Sequence, residues 1–219
     1  MSLTIAYVHG TAPDKWFRRF AEQTQHSIEK TFGCDDPIEP LLEGEADVAL
    51  VRLPHPGVGE AHHVVRLYEE QPGIGLPKEH ELTLLQEISA DDIAEETCLY
   101  RAETCVDVAQ VRDAIQVVAA NVGVVLAPQP LLRSINNKAV EHRPYISGEP
   151  TTIAVVWNKD ADCEEIQDFV GITRGRKAQS SRTAMPKRTA REKAIEKQKR
   201  RAKSIKQQAK RDAARRRRR

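Results

Sequence analysis

Residues 43–54 read EGEADVALVRLP, and the arginine in that stretch, Arg52, follows a run of apolar residues. A guanidinium at the end of a buried strand has two uses. Its long stem can carry the charge out to solvent, or its planar fork can face a cleft and hold an anionic ligand there. Both readings stay open on the residues alone. Cys34 poses a similar choice: at the opening of a helix a thiol is either a weak hydrogen-bond donor or a thiolate of lowered pKa that reacts with oxidants. His62 and His63, with His55 and His80 close in sequence, invite a metal. Their spacing fits no helix face and no common ligand pattern, and a rim or strand-edge role explains them. Asp35 with Asp36, and Asp91 with Asp92, offer paired carboxylates; each pair stands at a predicted helix start, where capping accounts for it. The cysteines Cys34, Cys98, Cys105 and Cys163 show no CxxC spacing and are expected as reduced, packed thiols. No nucleophile stands at a familiar spacing from a base. No catalytic residue, cofactor or metal ligand is therefore expected, and the chain is not expected to be an enzyme.

The elements that must position these residues follow from hydrophobic periodicity. LTIAYV (residues 3–8) reads as a buried strand, and Trp16, Phe17 and Phe20 then give one apolar face to a helix over about 12–24. Thr11 suits its N-cap and Pro13 its first turn. SIEKTF (27–32) is a weaker strand, and Ile38, Leu41 and Leu42 make a short helix that Gly44 ends. ADVALV, HVVRLYE (63–69) and GIGLP (73–77) are further strands. Ser89 and Asp92 form a relative of the capping box. The helix over 107–121 is the best in the chain, with Val108, Val111, Ala114, Ile115, Val118, Ala119 and Val122 on one face. VGVVLAPQ, AVEHRPY and TTIAVVW (151–157) are strands, PQPLLRSI is a short helix, and CEEIQDFVGI is a closing one. The alternation predicts a parallel-dominated sheet with helices on its faces. In such sheets ligands bind beyond the carboxyl ends of the strands. That places His9-Gly10-Thr11, Gly33-Cys34-Asp35 and Arg52-Leu53-Pro54 at the predicted crevice. The first two also open a helix, whose free N–H groups favour an anion.

Charge divides the chain into a body, residues 1–170, and a tail, residues 171–219. The tail has 21 Lys+Arg against 3 acidic residues, a balance of +18, and the body has 13 basic against 29 acidic, a balance of −16. The tail has no aromatic residue and no apolar stripe, so it is expected to be disordered or a solvated helix. Its expected partner is nucleic acid, gripped through the phosphate backbone without sequence choice. Lys199, Arg200, Arg201, Lys203, Arg215, Arg216, Arg217, Arg218 and Arg219 would supply the contacts. A solubilising extension, or association with the acidic body, is the competing reading. No run of about 18 apolar residues and no secretory signal is present, so a cytoplasmic protein with no membrane partner is expected.

In order along the body, LTIAYVHGTAP, LLEGEADVALVRLP, LYEEQPGIGLPKEHEL, VVAANVGVVLAPQ and TTIAVVWNKD resemble the substrate-binding (effector) domain of LysR-type transcription regulators. The likeness spans about residues 3–170. It implies a type 2 periplasmic-binding-protein-like α/β fold with two α/β subdomains, a two-strand hinge and a central ligand cleft. By the same likeness, subdomain one covers about 3–74 plus 145–170 and subdomain two about 75–144. The family's effector contacts carry over to Gly10, Thr11, Cys34, Arg52, Leu53 and Pro128, with Cys34 standing where a Ser or Thr is common. Two departures are notable. Met1 stands almost on the first strand, so the family's winged helix-turn-helix is expected to be absent. YRAETCVDVAQ is very short, so one wall of the cleft is expected to be thin. The chain thus looks like a free-standing, actinobacterial-like version with a basic tail. The implied function is a non-enzymatic regulatory module that binds a small anionic effector while its tail contacts nucleic acid, and a homodimer is a further expectation. The alternative is a constitutive nucleic-acid-associated protein whose body is a dimerisation scaffold with a vestigial cleft.

Overall fold

The computed structural model of the protein describes residues 2–175. The apolar runs form a first sheet from β1 (Ser2–Val8), β2 (Ser27–Cys34), β3 (Val48–Leu53), β4 (His62–Glu70) and β9 (Thr151–Asn158), in the order β2-β1-β3-β9-β4. A second sheet holds β5 (Pro72–Pro77), β6 (Cys98–Arg101), β7 (Val124–Pro128) and β8 (Val140–Pro144), in the order β6-β7-β5-β8. Helices α1 (Asp14–Gln23), α2 (Ile38–Leu42) and α5 (Glu164–Thr173) pack with the first sheet, and α3 (Val108–Ala119) and α4 (Gln129–Ser134) with the second. The chain passes between the sheets twice. Gln71 alone separates β4 from β5, and a short link after Pro144 leads to β9.

The expectation of a parallel-dominated sheet is corrected here: both sheets are mixed. β1 runs parallel to β2 and β3, but β9 is antiparallel to β3 and β4, and β5 is antiparallel to β7 and β8. Alternating β and α elements predict parallel neighbours only when successive strands are neighbours. Here β9 returns from the second sheet and inserts between β3 and β4.

Both faces of the first sheet are covered, which is why its central strands are continuous apolar runs. Val48 and Leu50 of β3 face the core that Phe20 and Phe169 fill, whereas Ala49 and Val51 meet Ile38 and Leu41 of α2. The side-chain period of two puts Arg52 on the same face as Val48 and Leu50, the α1/α5 side. The second sheet packs α3 and α4 on one face through Val111, Ile115, Val118 and Leu131. Its other face covers Ile74, Ile88, Leu126 and Tyr145.

Gly44 follows α2 with φ +75°, the left-handed conformation that ends a helix at least cost in glycine. The expected cap Thr11 does not cap. Helix α1 starts later, with Pro13 at its N-cap, and Thr11 Oγ1 donates instead to the Val8 carbonyl at 2.8 Å. The intervening turn pivots on Gly10, whose φ is +93°. Lys199, Arg200, Arg201, Lys203 and Arg215 to Arg219 lie outside the described residues.

Candidate functional site

Arg52 does not reach solvent: it is 4% exposed. A buried guanidinium must be paired and hydrogen-bonded, because it cannot shed its charge. The partner is Glu70, the last residue of β4, two strands away across β9. Arg52 Nε donates to Glu70 Oε2 at 2.6 Å and Nη2 to Oε1 at 3.3 Å. Nη2 also donates to the His9 carbonyl at 3.1 Å, and Thr151 Oγ1 of β9 donates to Glu70 Oε2 at 3.2 Å. The pair therefore ties β3, β4, β9 and the β1–α1 turn at one end of the sheet. Arg52 Nη1 is buried without a partner.

The β1–α1 and β2–α2 turns meet elements of the second sheet. Gly10 lies so close to α4 that a Cβ there would sit 2.8 Å from Leu131 Cα and 3.1 Å from Arg52 Nη2. Val8 is buried in the same cluster as Val111, Ile115 and Leu131. Asp35 reaches Arg112 of α3 through both carboxylate oxygens, at 2.7 and 2.9 Å. His9 Nδ1 stands 2.7 Å from Asp35 Oδ1. The Arg112 hydrogen bonds, followed by that of His9, hold the Asp35 carboxyl below its ordinary range. Asp35 is therefore a bridge between the sheets and not the helix cap expected of it. Asp36 does cap α2, its Oδ1 accepting from Ile38 N at 2.8 Å.

Cys34 corrects a further expectation. It is the last residue of β2 and does not open the helix, since α2 begins at Ile38. Burial, then the neighbouring Asp36, Asp35 and Glu39 carboxylates, push its thiol up to about 11. That is the opposite of a reactive thiolate. The histidines read as a metal option are held locally: His62 Nδ1 accepts from Gly59 N, His55 Nδ1 from Gly57 N and His80 Nδ1 from Leu82 N, while His63 packs on Trp157. No group of three or more metal-ligating side chains occurs among the described residues.

A cavity of about 330 Å³ opens where the chain passes between the sheets. That is room for a small organic molecule. Glu70, Pro54 and Thr151 line it from the first sheet, Leu126, Ala127 and Pro128 from the end of β7, and Pro72, Gly73, Gly148 and Pro150 from the crossings. A further wall is the segment from Arg101, at the end of β6, to Val106, whose shortness predicted a thin wall. That loop is stapled at its ends, because Asp107 N donates to Tyr100 Oη at 2.8 Å. Asp107 in turn caps α3 by accepting from Gln110 N.

Of the positions expected to meet a ligand, Pro128 lines this cavity. Arg52 does not line it but hydrogen-bonds the lining residue Glu70, and Leu53 does not line it but precedes the lining residue Pro54. Gly10, Thr11 and Cys34 do not line it; Gly10 packs against Leu131 of α4, and Thr11 and Cys34 are the chain neighbours of Gly10 and Asp35. Glu70, Arg101 and Arg112 are the site residues that periodicity did not reveal. A buried arginine demands a buried carboxylate, but the sequence left open whether Arg52 is buried, so neither its burial nor its partner Glu70 was legible there.

The family model described as the LysR substrate binding domain matches residues 15–177. No curated protein matches the chain. Among solved structures, the BenM effector binding domain with its effector benzoate is similar at TM-score 0.62 and 16% identity, over 79% of this chain and 90% of that one. Full-length BenM is similar at TM-score 0.62 and 16% identity, over 80% of this chain and 66% of that one. The reduced OxyR regulatory domain from Pseudomonas aeruginosa is similar at TM-score 0.56 and 17% identity, over 79% and 96%. At these identities the likeness establishes the fold, a type 2 periplasmic-binding-protein-like arrangement of two sheets. No helix among the described residues is long and apolar enough to cross a membrane.

Proposed function

Because the chain belongs to the LysR substrate-binding-domain family, we propose that it is a non-enzymatic effector-binding module of transcription regulation, acting in the cytoplasm. The observation that carries this reading is the cavity of about 330 Å³ at the two chain crossings, lined from both sheets. A molecule there touches both subdomains, about 3–74 with 145–170 and about 75–144. It therefore favours one arrangement of the two by its differential affinity. The effector is a small organic anion whose charge meets Arg101, a wall residue with no ion-pair partner among the described residues. Pro128 touches it, and Arg52 and Leu53 act on it through Glu70 and Pro54. Gly10, Thr11 and Cys34 meet an effector only when the seam opens. The tail, with its balance of +18, carries the module to nucleic acid. A second copy of the chain completes the functional unit.

A thermal-shift screen of the full chain tests the cavity. Glu103 and Glu149 also line it, so the screen needs amine and neutral arms beside the carboxylates. A compound at 100 times its Kd adds about 2.7 kcal/mol, or roughly 5–11 °C for a protein of this size. Arg101→Ala should remove the carboxylate response. A flat response from all three arms refutes the reading, and a response confined to amines refutes the anion. For the tail, removing residues 176–219 should abolish binding to a DNA or RNA duplex. If 6–10 phosphates are met, the intact chain should lose roughly 10³–10⁵ in affinity between 50 and 200 mM salt. Retained binding after truncation sinks the tail assignment.

The closed seam at Gly10 and Leu131 favours a second reading, a constitutive nucleic-acid-associated protein whose body is a dimerisation scaffold. It predicts a dimer by light scattering and nucleic-acid binding that no cavity ligand alters.

A further inference from the structure

The seam between the sheets is closed around a carboxylate that belongs to the chain itself. Asp35 sits on the β2–α2 turn of the first sheet, and Arg112 sits on α3 of the second. Two parallel N–H···O bonds at 2.7 and 2.9 Å make the pair bidentate, the geometry that adds directional specificity to charge. His9 closes the third side at 2.7 Å. An Asp35 carboxylate has no proton to give, so His9 Nδ1 is the donor. Gly33 makes room for the imidazole: a Cβ at 33 would lie 3.2 Å from His9 Nε2 and 3.3 Å from its Cδ2. Around one carboxylate, then, the fold arranges an arginine fork from one sheet and an imidazole donor from the other. That is a small-anion receptor already filled.

The rest of the seam agrees. Backbone meets backbone at Gly10 and Leu131, with no room for a single added carbon. The neighbouring carboxylate, Asp36, is committed elsewhere, to Ile38 N and to His55 at 3.4 Å. Cys34, beside it, carries no charge at neutral pH. Asp35 is thus the one acidic group of this turn that crosses the seam.

We propose that Asp35 is a built-in carboxylate ligand. It latches the two sheets together through Arg112, with His9 of its own sheet as a second donor, so the seam closes without an added anion, and deleting the carboxylate uncovers a receptor for small carboxylates. The latch stands whether or not the cavity at the crossings binds an effector.

The test is chemical rescue in the full chain. Asp35→Ala keeps the Cβ and removes only the carboxylate, the volume of a formate ion. Its melting midpoint should fall by roughly 2–4 °C, the loss of one partly exposed ion pair. Sodium formate, compared with sodium chloride at equal ionic strength, should restore the midpoint with a half-effect no tighter than about 0.5 mM, the ceiling for three heavy atoms. Wild type, whose receptor is filled, should show no formate-specific shift, and neither should the Asp35→Ala, Arg112→Gln double variant. Formate that stabilises wild type and Asp35→Ala equally, or neither, overturns the proposal. Asp35→Asn gives a second readout that does not depend on rescue. Amide hydrogen exchange should quicken in the β1–α1 turn and α4 while β7 keeps its protection. Unchanged exchange at the turn and α4 overturns the latch as well.

Discussion

Removing the Glu70 carboxylate should be among the most damaging single changes in the body. Arg52 and Glu70 are 4% and 2% exposed, and the pair is bidentate at 2.6 and 3.3 Å. In Glu70→Ala the guanidinium keeps its charge and keeps only the His9 carbonyl among the acceptors it now has. Nε joins Nη1 as a buried donor without a partner. Breaking one side of a buried ion pair costs about 3–5 kcal/mol, because the remaining charge is desolvated and uncompensated. For a protein of this size, roughly 2–4 °C accompanies each kcal/mol. The melting midpoint should then fall by roughly 6–20 °C. Replacing both partners, Arg52→Met with Glu70→Leu, removes the desolvation cost along with the attraction and should return stability to near wild type. Urea denaturation followed by circular dichroism measures both, and an unchanged slope confirms that the same surface unfolds. A Glu70→Ala protein within about 1 kcal/mol of wild type would show that water reaches the guanidinium. A double variant as weak as the single one would show that the carboxylate matters for packing and not for charge.

Three further outcomes follow from the seam and the strand ends. Gly10→Ala puts a Cβ 2.8 Å from Leu131 Cα on a backbone at φ +93°; strain of this kind costs about 1–3 kcal/mol, read as a lower melting midpoint. The Asp35 carboxyl titrates lower folded than unfolded, so its contribution is complete above the unfolded value of about 3.9 and is lost as pH falls through the folded one. An acid-unfolding series should therefore lose part of its low-pH slope in Asp35→Asn, and an unaltered slope would remove Asp35 from the acid limb. Cys34, held at about 11, is roughly one part in a thousand thiolate at pH 8. Peptide mapping after iodoacetamide treatment of the native protein should find the exposed Cys98 alkylated first and Cys34 late, and the reverse order would contradict the burial argument.

Periodicity is local, and local features are what the sequence carries plainly. The apolar runs of β1, β3, β7 and β9, the helical face of α3 from Val108 to Val118 and the glycine ending α2 were legible because each depends on residues within a few positions of one another. Five such stretches in order also carried the family. Long-range pairing was not legible. That β9 inserts between β3 and β4, which makes the sheets mixed, depends on a strand about a hundred residues downstream. Asp35 looked like a helix cap because aspartate before a helix usually is one; Arg112, 77 positions away, claims it instead. The short segment from Arg101 to Val106 read as a thin wall; that it lines the cavity, with Tyr100 and Asp107 bonded across its ends, took the tertiary structure to reveal. Arg52 shows the division most clearly. Its sequence position told that a charge stands at the end of a buried strand. Its fate, buried and paired or exposed and solvated, turned on whether the fold brought a carboxylate within hydrogen-bonding distance. The cost of burying an unpaired charge is so large that one partner decides it. That partner, Glu70, was brought there by the tertiary structure alone.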